Sequence, residues 1–169
     1  MKKKLLSVLL CTAMISTLLV GCGSKTEEAA PAEEATESEA SAEGYELALV
    51  TDLGTIDDKS FNQGAWEGLE KYAKENGVSY KYYQPQEGTT DSYVETIGLA
   101  IEGGAKLVVC PGFLFEEPIF IVQDQYPDVT FILLDGAPHN ADYSEFKTGD
   151  NVMSIMFQED QPGYLAGYA

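Results

Sequence analysis

The sequence predicts an α/β fold in which a parallel sheet carries helices on both of its faces. Two observations lead to this fold class. Short apolar runs alternate with amphipathic helical stretches through most of the chain, strand before helix each time. The apolar runs are continuous, as expected of strands that are buried on both faces. This alternation begins near residue 45, after a leader and a polar stretch of different composition.

Four segments have the length and apolar character of buried strands, at residues 46–51, 78–83, 106–110 and 129–134. The carboxyl ends of parallel strands lie at one edge of a sheet, where open α/β domains bind small ligands. The sequence therefore predicts that the four following loops meet at this edge. They carry Asp52, Tyr83 with Gln84, Pro111 with Gly112 and Phe113, and Asp135.

Three helices are predicted between or after these strands, at residues 61–76, 90–102 and 113–125. In the first, apolar residues recur at spacings of three and four, which predicts an inward stripe of Phe61, Ala65, Leu69, Tyr72 and Ala73. Ser60 is its predicted N-cap, and Gly77 its predicted stop. After Asp135 a turn-rich stretch precedes an extended segment at 147–157 and the first turns of a helix at 159–168.

The leader has the features of a bacterial lipoprotein signal peptide. Three lysines at 2–4 precede an apolar stretch at 5–20, which is short for a bilayer span of roughly 20 apolar residues. Residues 19–22 resemble the lipobox, whose cysteine is acylated, so Cys22 is the predicted lipidation site. The alternative is an ordinary signal peptide that ends near a cysteine. We expect a protein of the cell membrane, lipid-anchored on its extracytoplasmic face.

Charge and cysteine content exclude some functions. The chain has 28 acidic against 10 basic side chains, a net charge of −18, so nucleic-acid binding is excluded because phosphate contacts need a basic surface. Of the three cysteines, Cys11 lies in the leader and Cys22 is assigned to lipid. Cys110 lies in an apolar run and is predicted to be a buried structural thiol.

The loop after the first strand combines groups that suit a nucleoside or a sugar. Asp52 directly follows the buried strand, and Gly54 lets the chain approach a ligand closely. Phe61 and Asn62 open the next helix, where an aromatic face can stack on a heterocycle and an amide can both donate and accept hydrogen bonds. The alternative is a core Phe61, with the acidic pair at 57–58 solvated or capping the helix.

A second alternative is enzymatic. The stretch at 51–58 loosely resembles the calcium loop of nucleoside hydrolases, Asp-x-Asp-Pro-Gly-x-Asp-Asp. It lacks the proline, it has two residues between Gly54 and the acidic pair where that loop has one, and Val50 occupies the place of the leading carboxylate. Oxygen-ligand geometry depends on this spacing, so the hydrolase is the less favoured reading.

The same loop resembles the opening motif of the basic membrane protein family, which comprises ABC-transporter substrate-binding lipoproteins of the purine nucleoside receptor type. The matching residues are those at 49–52, Gly54, 57–63 and 65–68. Three later segments agree in the same order, at 109–113, 131–135 and 157–167. The resemblance covers essentially all of residues 45–169.

This resemblance implies a type I periplasmic-binding-protein-like fold, in which two α/β lobes clamp a nucleoside, of the purine class. Phe61 would stack on the base and Asn62 would hydrogen-bond it. Asp52 would be a polar contact and Asp135 an acceptor for the ribose hydroxyls, while Gly112 and Phe113 would line the cleft. The implied protein is a binding protein, not an enzyme, and it delivers its nucleoside to ABC permease and ATPase subunits.

The predicted organisation has four parts: a lipoprotein signal peptide at 1–21, lipidated Cys22 with a disordered acidic tether at 22–43, an N-terminal ligand-binding lobe at 44–138, and a crossover with the start of an incomplete second lobe at 139–169. The family's second lobe is otherwise absent, so we expect a chain truncated at the entrance to that lobe. The same fold with a sugar or signalling ligand, or with a sensor or adhesin role, remains an alternative.

Overall fold

The computed structural model describes residues 44–168. The predicted signal peptide, Cys22 and the acidic tether lie outside the described residues. The strands are β1 (Leu47–Val50), β2 (Tyr80–Tyr83), β3 (Leu107–Pro111), β4 (Thr130–Leu134) and β5 (Val152–Ile155). The helices are α1 (Phe61–Asn76), α2 (Thr90–Glu102), α3 (Glu116–Gln125) and α4 (Asp160–Tyr168), with a 3-10 turn at Phe113–Phe115.

The strands form one parallel sheet in the order β2-β1-β3-β4-β5. Alternate residues of β1 face opposite layers. Ala48 and Val50 join the core that packs under α2 and α3, whereas Leu47 and Leu49 join the core that packs under α1. All four are buried, which explains the continuous apolar run. The predicted α/β fold with helices on both faces is confirmed.

The sheet continues beyond residue 138, where the sequence predicted the end of the first lobe. β5 pairs in parallel with β4, and Phe131 is in register with Val152. Side-chain amides hold the approach to β5 in place. Gln123 on α3 accepts a hydrogen bond from the Gly149 backbone N–H at 2.7 Å, and Asn151 Nδ2 donates to three backbone carbonyls near the end of α3. These contacts order residues 149–151 against the lobe.

Helix α1 has the predicted bounds but differs from the prediction in two details. Phe61 and Tyr72 of the predicted inward stripe are exposed. The stripe continues instead through Trp66, which lies 5.5 Å from the Tyr80 ring and 5.3 Å from the Tyr82 ring. Ser60 occupies the N-cap position, but its side chain makes no capping hydrogen bond. Gly77 ends the helix with φ of 66°, as predicted.

The carboxylate of Asp58 provides the cap that Ser60 lacks. Its Oδ1 accepts hydrogen bonds from the backbone N–H groups of Ser60 at 2.8 Å and Gln63 at 3.1 Å. Burial raises the pKa of Asp58, but the hydrogen bonds from Gln63, Ser60 and Asn62 outweigh it and lower the pKa below its ordinary value. The folded state therefore favours the charged carboxylate, which also suits the helix amino terminus.

Two further observations concern the core and the membrane. Cys110 is buried as predicted, and burial raises the pKa of its thiol. Within residues 44–168, no helix has both the length and the apolar character that a bilayer crossing requires.

Asp58→Asn tests the cap. The folded pKa lies below the ordinary value of 3.8, so the charge-dependent stabilisation is present above that value and is lost as the pH falls through the folded pKa. Urea unfolding at neutral pH and between about pH 4 and pH 2 should show the parent's advantage over Asp58→Asn shrinking toward low pH. Asp57→Asn serves as the neighbouring control. A parent advantage that stays constant over this range would contradict the assignment.

Candidate functional site

The carboxyl edge of the sheet gathers most of the residues that the sequence singled out. Strands β1, β3 and β4 are neighbours and run in the same direction, so the loops that follow them open side by side. These loops carry Asp52, Gly112 with Phe113, and Asp135. Helix α1 begins beside the first loop and adds Phe61 and Asn62. The predicted convergence of loops at this edge is therefore present in the fold.

Asn62 is the centre of the first loop. Its side chain is 2% exposed, and its Nδ2 donates to Asp52 Oδ1 at 2.7 Å and to Asp58 Oδ2 at 2.9 Å. Its Oδ1 accepts a longer bond of 3.4 Å from the Asp52 backbone N–H. One amide thus joins the end of β1 to the cap of α1.

Gly54 closes the same turn. Its backbone N–H donates to Asp52 Oδ1 at 2.6 Å. A Cβ at this position would lie 2.7 Å from Asn62 Nδ2 and 2.8 Å from Asp52 Oδ1, closer than real Cβ atoms come. The turn therefore requires glycine, because the carboxylate–amide contact fills the space of a side chain.

This geometry differs from the role expected for Asn62. The family resemblance implied that the Asn62 amide hydrogen-bonds the base of a ligand. In the structure, both amide hydrogens are donated to carboxylates, and the side chain is buried beneath the loop. Asn62 braces Asp52 from below. This contact could not be read from the sequence, because the amide chemistry suits both roles.

Phe61 faces the opposite way from Asn62. Its ring is 44% exposed although it begins an amphipathic helix, and it lies 5.9 Å from the ring of Phe157. The two rings line an open cleft of about 500 Å³, together with Ser60, Gly64, Ala65 and Leu134. Phe157, which follows β5, was not among the predicted site residues. Recognising β5 as a strand of this sheet would have placed it at the same edge.

Asp135 has two unusual properties. Its backbone adopts φ of 60°, and its N–H donates to the Ile155 carbonyl at 2.7 Å. Its Oδ1 is buried and has no hydrogen-bond partner among residues 44–168. A strained backbone and an unsatisfied buried acceptor each cost free energy, and such features concentrate at functional sites.

The loop after β3 contributes a backbone position and an aromatic ring. Gly112 has φ of 103°, which favours glycine, and its N–H donates to the Leu134 carbonyl at 2.7 Å. Phe113 is strongly exposed but is not among the residues that line the cleft beside Phe61. The structure therefore brings Phe61 together with Phe157 and leaves Phe113 outside this cleft.

Tyr93 on α2 is a further buried polar residue that was not among the predicted site residues. Its ring is buried against Phe115, with 4.8 Å between ring centroids. Its hydroxyl is buried without a hydrogen-bond partner among the described residues. Burial raises the pKa of Tyr93, and the Asp52 carboxylate raises it further. The Tyr93 hydroxyl, a hydrogen-bond donor, therefore lies near enough to the Asp52 carboxylate to interact with its charge.

The acidic side chains of the first loop do not converge as a calcium loop would require. Asp52 and Asp58 both bond the Asn62 amide, and Asp57 accepts a hydrogen bond from the Thr55 hydroxyl. Over residues 44–168, no three His, Cys, Asp or Glu side chains group so that they could hold a metal ion.

Comparison with known proteins agrees with this architecture. Residues 45–169 match the family model described as ABC transporter substrate-binding protein PnrA-like, or Bmp. The chain is 30% identical over 173 aligned positions to the ABC transporter nucleoside-binding protein BmpA of Lactococcus lactis, covering 100% of this chain and 44% of that protein. It is 33% identical over 132 positions to an uncharacterized lipoprotein of Pyrococcus abyssi, covering 78% of this chain and 31% of that protein.

A solved structure supports the fold independently. A solute-binding protein of an ABC transporter system from Aeropyrum pernix superimposes with a TM-score of 0.62 at 30% identity, over 73% of this chain and 31% of that one. The chain thus spans less than half the length of these relatives. The family match runs from residue 45, just before β1, to residue 169, so the chain belongs to the Bmp family of PnrA-like ABC transporter substrate-binding proteins.

Proposed function

We propose that the protein binds a purine nucleoside at the carboxyl edge of its sheet, as the solute-binding component of an ABC importer. The observation that carries this proposal is the Phe61 ring, which opens α1 and presents an exposed face beside Phe157. A flat heterocycle gains stacking energy on such a face. The Lactococcus relative, whose name describes it as nucleoside-binding, supports the same ligand class.

The carboxylates at this edge suit the rest of a nucleoside. The hydrogen bonds to the Asp52 carboxylate within residues 44–168 all reach Oδ1, which leaves Oδ2 for a ligand hydroxyl or N–H. The buried Oδ1 of Asp135 gains a partner if a ribose hydroxyl donates to it. We assign Asn62 to the positioning of Asp52, and Gly112 and Phe113 to the rim of the site. Carboxylates at this edge disfavour a ligand phosphate.

The transport role follows from the family and involves parts of the relatives that lie beyond their match to this chain. The chain spans 44% of the Lactococcus protein, so closure of a second lobe over the nucleoside is part of the proposal. Delivery to permease and ATPase subunits is proposed on the same ground. We place the first lobe at residues 44 to 157, because β5 belongs to its sheet, and the beginning of a second lobe at α4.

Phe61→Ala tests the stacking role. Loss of one stacking aromatic should weaken adenosine binding by about 1–3 kcal/mol. Changes in ¹H–¹⁵N NMR spectra during titration measure this well because they detect even millimolar affinity. Tyr72→Ala removes another exposed aromatic from α1, outside the cleft, and should leave binding unchanged. Equal losses in the two variants, or no binding by the parent, would refute the proposal.

Asn62→Ala distinguishes a brace from a ligand contact. It leaves two carboxylates without their amide partner. The free energy of unfolding should therefore fall by about 1–3 kcal/mol, and adenosine affinity should fall as well. Phe61→Ala should lower affinity with little change in unfolding, since its ring is half exposed. Denaturant unfolding and NMR titration of both variants provide the comparison. Lost affinity at unchanged stability in Asn62→Ala would instead make Asn62 a direct contact.

We further propose that acylated Cys22 anchors the protein on the extracytoplasmic face of the cell membrane, as the leader and the lipoprotein relative suggest. Cys22→Ser should prevent acylation, because only a thiol accepts the diacylglycerol. Detergent-phase partitioning of the expressed protein should move from the detergent phase to the aqueous phase, or the leader should remain uncleaved. Cys11→Ser is the control and should partition like the parent. Unchanged partitioning of Cys22→Ser with a normally cleaved leader would exclude the anchor.

A further inference from the structure

We propose that Glu116 and His139 are positioning residues that share one proton and thereby hold the Asp135 loop in its ligand-binding conformation. Neither residue was among the predicted site residues. The inference rests on the proposed function, because Asp135 is assigned there to the ligand. Its structural part concerns the loop alone and can be measured without any ligand.

Glu116 links the loops that follow β3 and β4. It opens α3, directly after the 3-10 turn that contains Phe113. Its Oε1 accepts a hydrogen bond from the Ala137 backbone N–H at 2.9 Å. Its Cγ lies 2.8 Å from where a Cβ on Gly136 would stand, so the side chain packs directly on this backbone. Glu116 thus holds the two residues that follow Asp135.

The second oxygen of Glu116 faces His139. Oε2 and the imidazole Nε2 are 3.1 Å apart, with side-chain exposures of 19% and 6%. The other ring nitrogen, Nδ1, lies 2.7 Å from the Asn140 carbonyl oxygen. A carbonyl only accepts, so Nδ1 carries a hydrogen, and in the neutral imidazole Nε2 would then present a lone pair.

This arrangement requires a proton between Nε2 and Oε2. An imidazolium facing a carboxylate, or a neutral imidazole facing a carboxylic acid, both satisfy the contact. Without that proton, a lone pair and a charged oxygen face each other at 3.1 Å in a largely buried site. Repulsion should then open the contact and release Glu116 from Ala137.

The surroundings of the imidazole contain few other titratable groups. The Glu116 carboxylate faces it from α3. From its own loop, the Tyr143 ring stacks on it at 3.9 Å, and the Phe146 ring lies at 5.4 Å. Asp142 in the same loop bonds Ser144. Within residues 44–168, the Glu116 carboxylate is therefore the charged group that contacts the His139 imidazole, and the two share the proton.

The Asp135 loop depends on a small set of anchors. The Asp135 N–H donates to the Ile155 carbonyl, and the Ser154 hydroxyl donates to the Gly136 carbonyl. The third anchor is the bond from Ala137 to Glu116. Asp135 keeps a left-handed backbone only while its surroundings impose it. Loss of the third anchor is expected to relax this backbone and withdraw Oδ1 from the ligand.

Glu116→Gln separates this role from simple packing. A glutamine can accept from the Ala137 N–H through its oxygen and donate through its amide to the lone pair on Nε2, so it preserves both contacts without the shared proton. The parent's loop should respond to alkaline pH, and the loop of this variant should not. Glu117→Gln, at the neighbouring carboxylate that bonds Thr90, is the matched control.

The experiment is a pH series from about pH 5 to pH 9, with ¹⁵N-labelled parent, Glu116→Gln and Glu117→Gln. Without ligand, the Ala137 amide resonance and the imidazole ¹⁵N signals of His139 should titrate together in the parent and in Glu117→Gln. In Glu116→Gln the Ala137 resonance should stay in place. With adenosine, which has no titrating group in this range, the parent's dissociation constant should rise about tenfold toward alkaline pH. That of Glu116→Gln should stay flat.

The proposal would be overturned if the parent's Ala137 resonance did not change together with the imidazole signals of His139. Identical pH profiles of the Ala137 resonance in the parent and Glu116→Gln would also overturn it. Absence of adenosine binding at every pH would refute the proposed function. The ligand-free Ala137 response would still decide whether the pair positions the loop.

Discussion

The candidate site depends on one side-chain amide placed between two carboxylates. Asn62 joins Asp52, at the end of β1, to Asp58, which caps α1. This bond fixes the turn between strand and helix, and that turn leaves room only for Gly54. It also determines that Phe61, the neighbour of Asn62, faces outward into the cleft. The buried Asn62 amide, which hydrogen-bonds two carboxylates, therefore determines how the exposed Phe61 ring is oriented.

The loop after β4 follows a different design. In the turn after β1, the Asn62 amide and the Oδ1 of Asp52 are paired within the chain. Asp135, in contrast, keeps a left-handed backbone and a buried oxygen without a partner in the described region. Such a residue holds its place only because its neighbours hold it, through Ile155 on one side and the Glu116–Ala137 contact on the other. The two loops thus contribute a rigid face and a face whose conformation depends on a proton.

The sequence predicted the parts of the fold that local rules govern. Helix α1 has its predicted bounds because its apolar period and Gly77 act within a few residues. The sequence predicted an extended segment around β5 but not its place in the sheet, because the strand has only four residues and one of them, Met153, is exposed. Its position depends on side-chain amides such as Asn151, which hold the residues before the strand against α3. Topology placed Asp52 and Asp135 at one edge. The contacts of Asn62 with Asp52 and Asp58 were not predictable, because they depend on whether its side chain points into the loop or toward the cleft.

The most direct test of nucleoside binding at the carboxyl edge is to map where adenosine changes the ¹H–¹⁵N NMR spectrum of the ligand-free protein. We expect the largest shifts on backbone amides at that edge, those of Gly54, Phe61, Gly112 and Gly136. Amides of the turns before β2 and β3, such as Gly77 and Gly104, should not move. Shifts confined to those turns, or no shifts up to the solubility limit of adenosine, would contradict it.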